Sequence, residues 1–171
     1  MDEENFTKDL IQAIEEDRHY KNNSNIYLLS DGKIAKENLE HRAQNEFVMG
    51  NYLFEKGISV PKMYSLVSPF PNEKYPVYYT IMQKIDGEIV RDVQGEEKKE
   101  AIKQFREQIT KVLEMNISPY DSFFGKNAIF NFKERKLYLI DFESWRIGVS
   151  EKELNFFNGM INFGEEHSPW Y

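Results

Sequence analysis

The sequence predicts an α+β chain of two small lobes: residues 1–82 form the first, 83–88 a short link, and 89–171 the second, shorter lobe. Three observations lead there. Strand-like segments with one intervening helix fill the first half, while a long helix, a hairpin and a further helix fill the second. That order does not alternate strand and helix as a parallel sheet requires. An Asp-Gly pair between two short apolar runs, Asp31-Gly32, signals an antiparallel hairpin. The length, 171 residues with 40% hydrophobic and 15% aromatic side chains, suits one ordinary domain with a real core.

Each element follows from local pattern. Phe6, Leu10, Ile11 and Ile14 recur at helical spacing and predict a helix over 4–19. After the polar run Lys21-Asn22-Asn23-Ser24-Asn25, the segment Ile26–Leu29 reads as a strand, and Lys33–Lys36 leaves the Asp-Gly turn. Residues 38–56 read as a helix with Leu39, Ala43, Phe47, Gly50 and Phe54 on one stripe, stopped by Lys56-Gly57. Residues 58–67 enter a strand, and Val77–Met82 is a strongly apolar one. The link Gln83-Lys84-Ile85-Asp86-Gly87-Glu88 is polar and holds a glycine. Ala101, Ile102, Phe105, Ile109, Val112 and Leu113 share one face of a helix over 96–115. An irregular loop over 116–127 precedes two short strands, Ala128–Asn131 and Lys136–Ile140, and a last helix spans Glu151–Ile161.

Composition narrows the chemistry. There are 22 basic and 29 acidic side chains, a net charge of −7, which argues against direct nucleic-acid binding by phosphate neutralisation. There is no Cys, so thiolate catalysis, disulfides and Cys-ligated metals are excluded. The 3 His residues, at 19, 41 and 167, are too scattered for a His-built metal site. The acidic N-terminus has no apolar core and is not read as a secretory signal. No apolar run approaches the ~18 residues of a membrane span, so a cytoplasmic protein is expected.

Three places carry candidate chemistry. Lys36 ends a strand, and Glu46 lies ten residues on beside an apolar helix stripe, where a carboxylate needs a cationic partner. The loop Ser118–Asn127 presents Asp121 and Asn127 just before an apolar strand. Asp141 follows the apolar strand Leu137–Ile140 directly. Asp and Asn are also ordinary turn residues. An Asp at the mouth of a hairpin beside an Asn and a second Asp is nevertheless the donor set of a magnesium–phosphate site, since Mg²⁺ prefers hard oxygen ligands.

Taken in order, Lys–Glu–link–Asp–Asn–Asp resembles the protein-kinase-like superfamily. The chain is most similar to its small atypical members, the RIO kinases and the small kinase/ATPase of the tRNA threonylcarbamoyladenosine machinery. Lys33-Ile34-Ala35-Lys36 resembles the strand that carries the phosphate-binding lysine. Asn45-Glu46-Phe47 and Gly57-Ile58-Ser59-Val60-Pro61 resemble helix C and the segment after it. Ile81–Glu88 resembles the hinge, and Leu137-Tyr138-Leu139-Ile140-Asp141-Phe142 the strand leading into D-F-G. The resemblance spans roughly residues 20–148.

It implies a minimal two-lobed kinase-like fold with an N-terminal antiparallel sheet plus helix and a truncated helical C-terminal lobe. The implied function is an ATP- and Mg²⁺-dependent phosphotransferase or ATPase. Lys36 would contact phosphates and be held by Glu46. Met82 would be the gatekeeper, and Gln83 and Ile85 would offer backbone groups to adenine. Asp121 would orient or deprotonate the acceptor hydroxyl, or position water, and Asn127 and Asp141 would hold Mg²⁺.

The chain departs from the pattern at several points. Asn22–Asn25 stands where a glycine-rich loop is usual, and Pro119-Tyr120 replaces the catalytic-loop His and its neighbour. Asp121 to Asn127 is one residue longer than the usual step. Glu143 stands at the D-F-G glycine and adds a negative charge beside the metal. A short C-terminal lobe without a long activation segment or a peptide-binding subdomain is expected after it. A catalytically weak, pseudokinase-like nucleotide-binding module working through a protein partner is the alternative reading, with Trp170 and Tyr171 as candidate partner-facing aromatics. A small-molecule kinase of the aminoglycoside or choline type ranks third.

Overall fold

The computed structural model describes residues 3–21, 23–70, 76–120 and 125–162. Its centre is a five-stranded antiparallel sheet of β1 (His19–Tyr20), β2 (Asn23–Leu28), β3 (Ile34–Asn38), β4 (Met63–Val67) and β5 (Tyr78–Met82), in the order β1-β2-β3-β5-β4. The expected hairpin joins β2 to β3 with Leu28 opposite Ile34, and Gly32 takes the positive φ of +80° in its turn. The strand β2 starts earlier than its apolar run. Asn23 pairs with Tyr20 across the turn, so backbone pairing extends the strand through exposed polar residues.

Side chains alternate across a strand, and the register turns that alternation into two faces. Tyr27, Ala35 and Ile81 lie opposite one another on one face. They pack with Phe6, Leu10 and Ala13 of the N-terminal helix α1 (Glu3–Glu15) in one apolar cluster. Ile26, Lys36 and Thr80 align on the other face, beside the Ile34–Met82 pair. There Thr80 donates its hydroxyl to the Ala43 carbonyl of α2 (Glu40–Glu55) at 3.4 Å.

The helix α2 buries a face that differs from the expected stripe. Ala43, Glu46, Met49, Gly50 and Leu53 are buried, while Leu39 and Phe54 are largely exposed. The buried arc is set by what the helix meets, namely β4 and β5. Gly50 lies against Met63, and a Cβ there would collide with the Met63 side chain, so the absence of one permits the close approach.

Beyond β5 the chain forms β6 (Glu88–Ile89), the long helix α3 (Gly95–Glu114), β7 (Ile117–Ser118), β8 (Ala128–Asn131), β9 (Lys136–Leu139), β10 (Arg146–Ile147) and α4 (Glu151–Asn162). The strands pair as β6-β8-β9 and β10-β7. The buried face of α3 holds Ala101, Ile102, Phe105, Ile109 and Val112, as its spacing predicts. Ser150 and Glu153 cap α4 reciprocally: the Ser150 amide donates to the Glu153 carboxylate at 2.9 Å, and the Glu153 amide to Ser150 Oγ at 3.3 Å. The Ser118 and Ser150 hydroxyls and the Ser150 amide, all donating to that carboxylate, lower the Glu153 pKa to about 2.

One apolar core runs through both halves. It joins Met49, Leu53, Ile58, Val60, Met63 and Met82 to Phe105, Phe130, Leu139, Phe142, Trp145 and Phe157. Each fully buried aliphatic or aromatic side chain there contributes roughly 1.5–3 kcal/mol. Among the described residues, no helix is long and apolar enough to cross a membrane.

Candidate functional site

A cavity of about 240 Å³ opens between the inner face of the sheet and the β8–β9 hairpin. Strand alternation supplies its roof, with Ile26, Ile34, Lys36 and Met82 lining it. Ile129 and Ile140 line it from the hairpin, and Gln83 and Ile85 from the link. Apolar walls with a few convergent polar groups are the usual make-up of a small-molecule site.

The polar end is built around Lys36. Its ammonium donates to Glu46 Oε1 at 3.0 Å and to Asp141 Oδ1 at 2.6 Å. Glu143 Oε2 stands 3.4 Å away as a third carboxylate. Burial pushes the Lys36 pKa down, but Glu46 and Asp141 more than reverse this, and the net shift is upward. The lysine is therefore a fixed cation at any physiological pH.

Glu46 is only 1% exposed, on the buried face of α2. Its Oε2 has no hydrogen-bond partner among the described residues. Burial pushes its pKa up to about 6, Lys36 opposes the shift, and Asp141 and Glu143 add to it.

Asp141 lies two residues past the end of β9 and takes a φ of +68°. That left-handed conformation is uncommon for a residue with a Cβ, though Asp tolerates it better than most. It is held by the hairpin: the Ile140 amide donates to the Asn127 carbonyl at 3.0 Å, and Ala128 pairs with Leu139. Asn127 and Asp141 thus sit on adjacent strand ends, and both line the cavity. One carboxamide and one carboxylate suit Mg²⁺, which takes one or two protein oxygens and fills its shell with water and phosphate oxygens. An all-protein cage is not available, since no group of three His, Asp or Glu among the described residues is arranged to hold a metal.

The link forms the far end. The Gln83 amide donates to the Lys62 carbonyl at 2.9 Å, and its side-chain Oε1 accepts from the Lys62 amide at 3.3 Å. The Ile85 amide makes no backbone hydrogen bond among the described residues, and the Ile85 carbonyl accepts a long 3.5 Å bond from the Tyr20 hydroxyl. Tyr20 of β1 and Asn23 of β2 also line the cavity.

The structure brings Lys36, Glu46, Met82, Gln83, Ile85, Asn127 and Asp141 around this one cavity. Asp121, Trp170 and Tyr171 lie outside the described residues. Two residues of the site have roles that spacing did not reveal. Glu143 does not line the cavity. Its carboxylate faces Lys36, Asn38 and Arg42, accepting from Asn38 Nδ2 and from Arg42 Nη1 at 3.2 Å. The negative charge expected beside a metal is thereby tied to β3 and α2. Asn45, one residue before Glu46, donates through Nδ2 to the carbonyls of Phe142, Glu143 and Trp145 at 3.0, 3.0 and 2.9 Å. Only its place beside Glu46 could have drawn attention to it.

No family model and no curated protein matches the sequence. Among solved structures, the chain matches the Cydia pomonella granulovirus kinase PK-1 with a TM-score of 0.55 over 84% of its length. The fold is kinase-like. Identity to that kinase is 16%, and the match spans 57% of the viral chain. In this kinase-like fold the five-stranded sheet with α2 makes the upper side of the cleft, and the β8–β9 hairpin with α3 the lower side.

Proposed function

We propose that the chain is a nucleotide-binding phosphotransferase or ATPase that uses ATP and Mg²⁺, of the atypical kinase type. The observation that carries this reading is the Lys36 ammonium held between Glu46 and Asp141 at the polar end of an apolar cleft. Phosphoryl transfer needs positioning and charge neutralisation more than covalent chemistry from the protein. Lys36 would neutralise inner phosphates, and Glu46 fixes where its ammonium points. Asn127 and Asp141 would hold the cation. Met82, Ile26 and Ile34 would pack on the base, with the Ile85 amide and Gln83 carbonyl at its edge. When bound, Mg²⁺·ATP supplies the transferable phosphoryl group and a compensating charge. The acceptor would be an alcohol, on a protein substrate or partner, in the cytoplasm.

A second reading, a nucleotide-binding module without turnover, is favoured by the engagement of Asp141 with Lys36 at 2.6 Å, which a metal must loosen. One experiment covers both. Thermal shift and phosphate release are measured with ATP and Mg²⁺ for wild type, Asp141→Ala, Lys36→Ala and Lys33→Ala. The enzyme reading expects a shift and turnover in wild type, turnover lost in Asp141→Ala, and nucleotide binding weakened more by Lys36→Ala than by Lys33→Ala. A shift without turnover selects the module. Neither a shift nor turnover sinks both.

A further inference from the structure

The cations at this site are unequally committed. Lys36 shares one charge among Glu46, Asp141 and Glu143. Arg42 is paired with Glu143 at 3.2 Å. Both cations on the sheet side already face carboxylates. Lys126 is different. It lines the same cavity from the lower side, its side chain is exposed, and among the described residues it forms no ion pair. It directly precedes Asn127, whose carbonyl is bonded to the Ile140 amide, so it sits at the end of the cavity that holds Asp141.

A nucleoside triphosphate would carry several negative charges into a cleft where three carboxylates already outnumber Lys36 and Arg42. One divalent ion offsets part of that. The remainder needs a mobile cation that gives up no existing partner, and an ammonium on a flexible stem serves as a point charge for phosphate. We infer that Lys126 is the second phosphate-binding cation of the site and contacts the terminal phosphate of a nucleoside triphosphate. This rests on the nucleotide reading above and assigns a residue that the sequence pattern did not single out.

The test is calorimetric titration of the full chain with adenosine, ADP and ATP in the presence of Mg²⁺, for wild type, Lys126→Ala and Lys126→Arg. The expected result is that Lys126→Ala weakens ATP about tenfold, as loss of one charge-assisted contact does. ADP should weaken less, adenosine should be unchanged, and Lys126→Arg should retain most of the ATP affinity. The unfolding temperature should stay the same, because the side chain is exposed. An equal loss for ADP and ATP would overturn the terminal-phosphate assignment, and an equal loss for all three ligands would mark a structural role instead. Wild type that binds ATP while Lys126→Ala binds it equally well removes this inference alone. Wild type that binds no nucleotide removes the underlying reading with it.

Discussion

Glu46 shows how one residue's burial decides its chemistry. Spacing placed it beside an apolar stripe, and packing puts it inside the buried face of α2 with Lys36 at 3.0 Å. Its folded pKa of about 6 exceeds the ordinary carboxylate value of 4.5. Between those values the folded chain binds more protons than the unfolded one. The contribution of Glu46 to stability is therefore fully present below pH 4.5 and is lost as pH rises through about 6. The stability difference between wild type and Glu46→Gln should move against wild type by ~2 kcal/mol across that window. Denaturant melts at several pH values check this, and a pH-independent difference would refute it. The Lys36–Glu46 pair was legible because a strand lysine beside apolar residues and a mid-helix acid are each costly to leave unpartnered. The third carboxylate on Lys36, Glu143, was not legible, because it is distant in sequence and reaches the lysine only through tertiary folding.

At the scale of elements, α2 and the segment after β9 are joined by Asn45. Its single amide group is shared among three backbone carbonyls of residues 142–145. The Phe142 carbonyl also accepts from the Trp145 amide at 3.1 Å, so Asn45→Ala removes a donor chiefly from the Glu143 and Trp145 carbonyls next to the site. Its cost should be about 1–3 kcal/mol, read from the urea midpoint. Amide exchange at residues 142–145 should rise with it; unchanged stability and exchange would show that the clamp is dispensable. Helix existence was readable from periodicity, and α3 buries the expected face except that Leu113 is only half-buried against the core. The buried arc of α2 was not. Leu39 and Phe54 satisfied the pattern yet face solvent, because the arc that packs toward β4 and β5 is the one holding Ala43, Glu46, Met49, Gly50 and Leu53. The capping pair Ser150 and Glu153 carries a readable S-x-x-E signature that marks where α4 begins.

At the scale of the whole molecule, the cleft is not a seam between independent cores. Met49, Leu53 and Met82 on one side share a cluster with Phe105, Phe130 and Trp145 on the other. The chain should therefore unfold as one unit, with coincident urea transitions by far-ultraviolet circular dichroism and tryptophan fluorescence. Two separated transitions would show that the halves fold independently. The sequence by itself determined the α+β class, the order of the main strands and helices, and the Asp-Gly hairpin. These depend on local periodicity and turn chemistry, which act within a few residues. Only the tertiary structure decided that Asp141, just past its strand, takes a positive φ, that Glu143 turns to Arg42 and Asn38, and that Lys126 lines the cavity with no ion pair among the described residues. The physical reason is that the partner of a charge is chosen by distance in space, and these partners lie about a hundred residues apart along the chain.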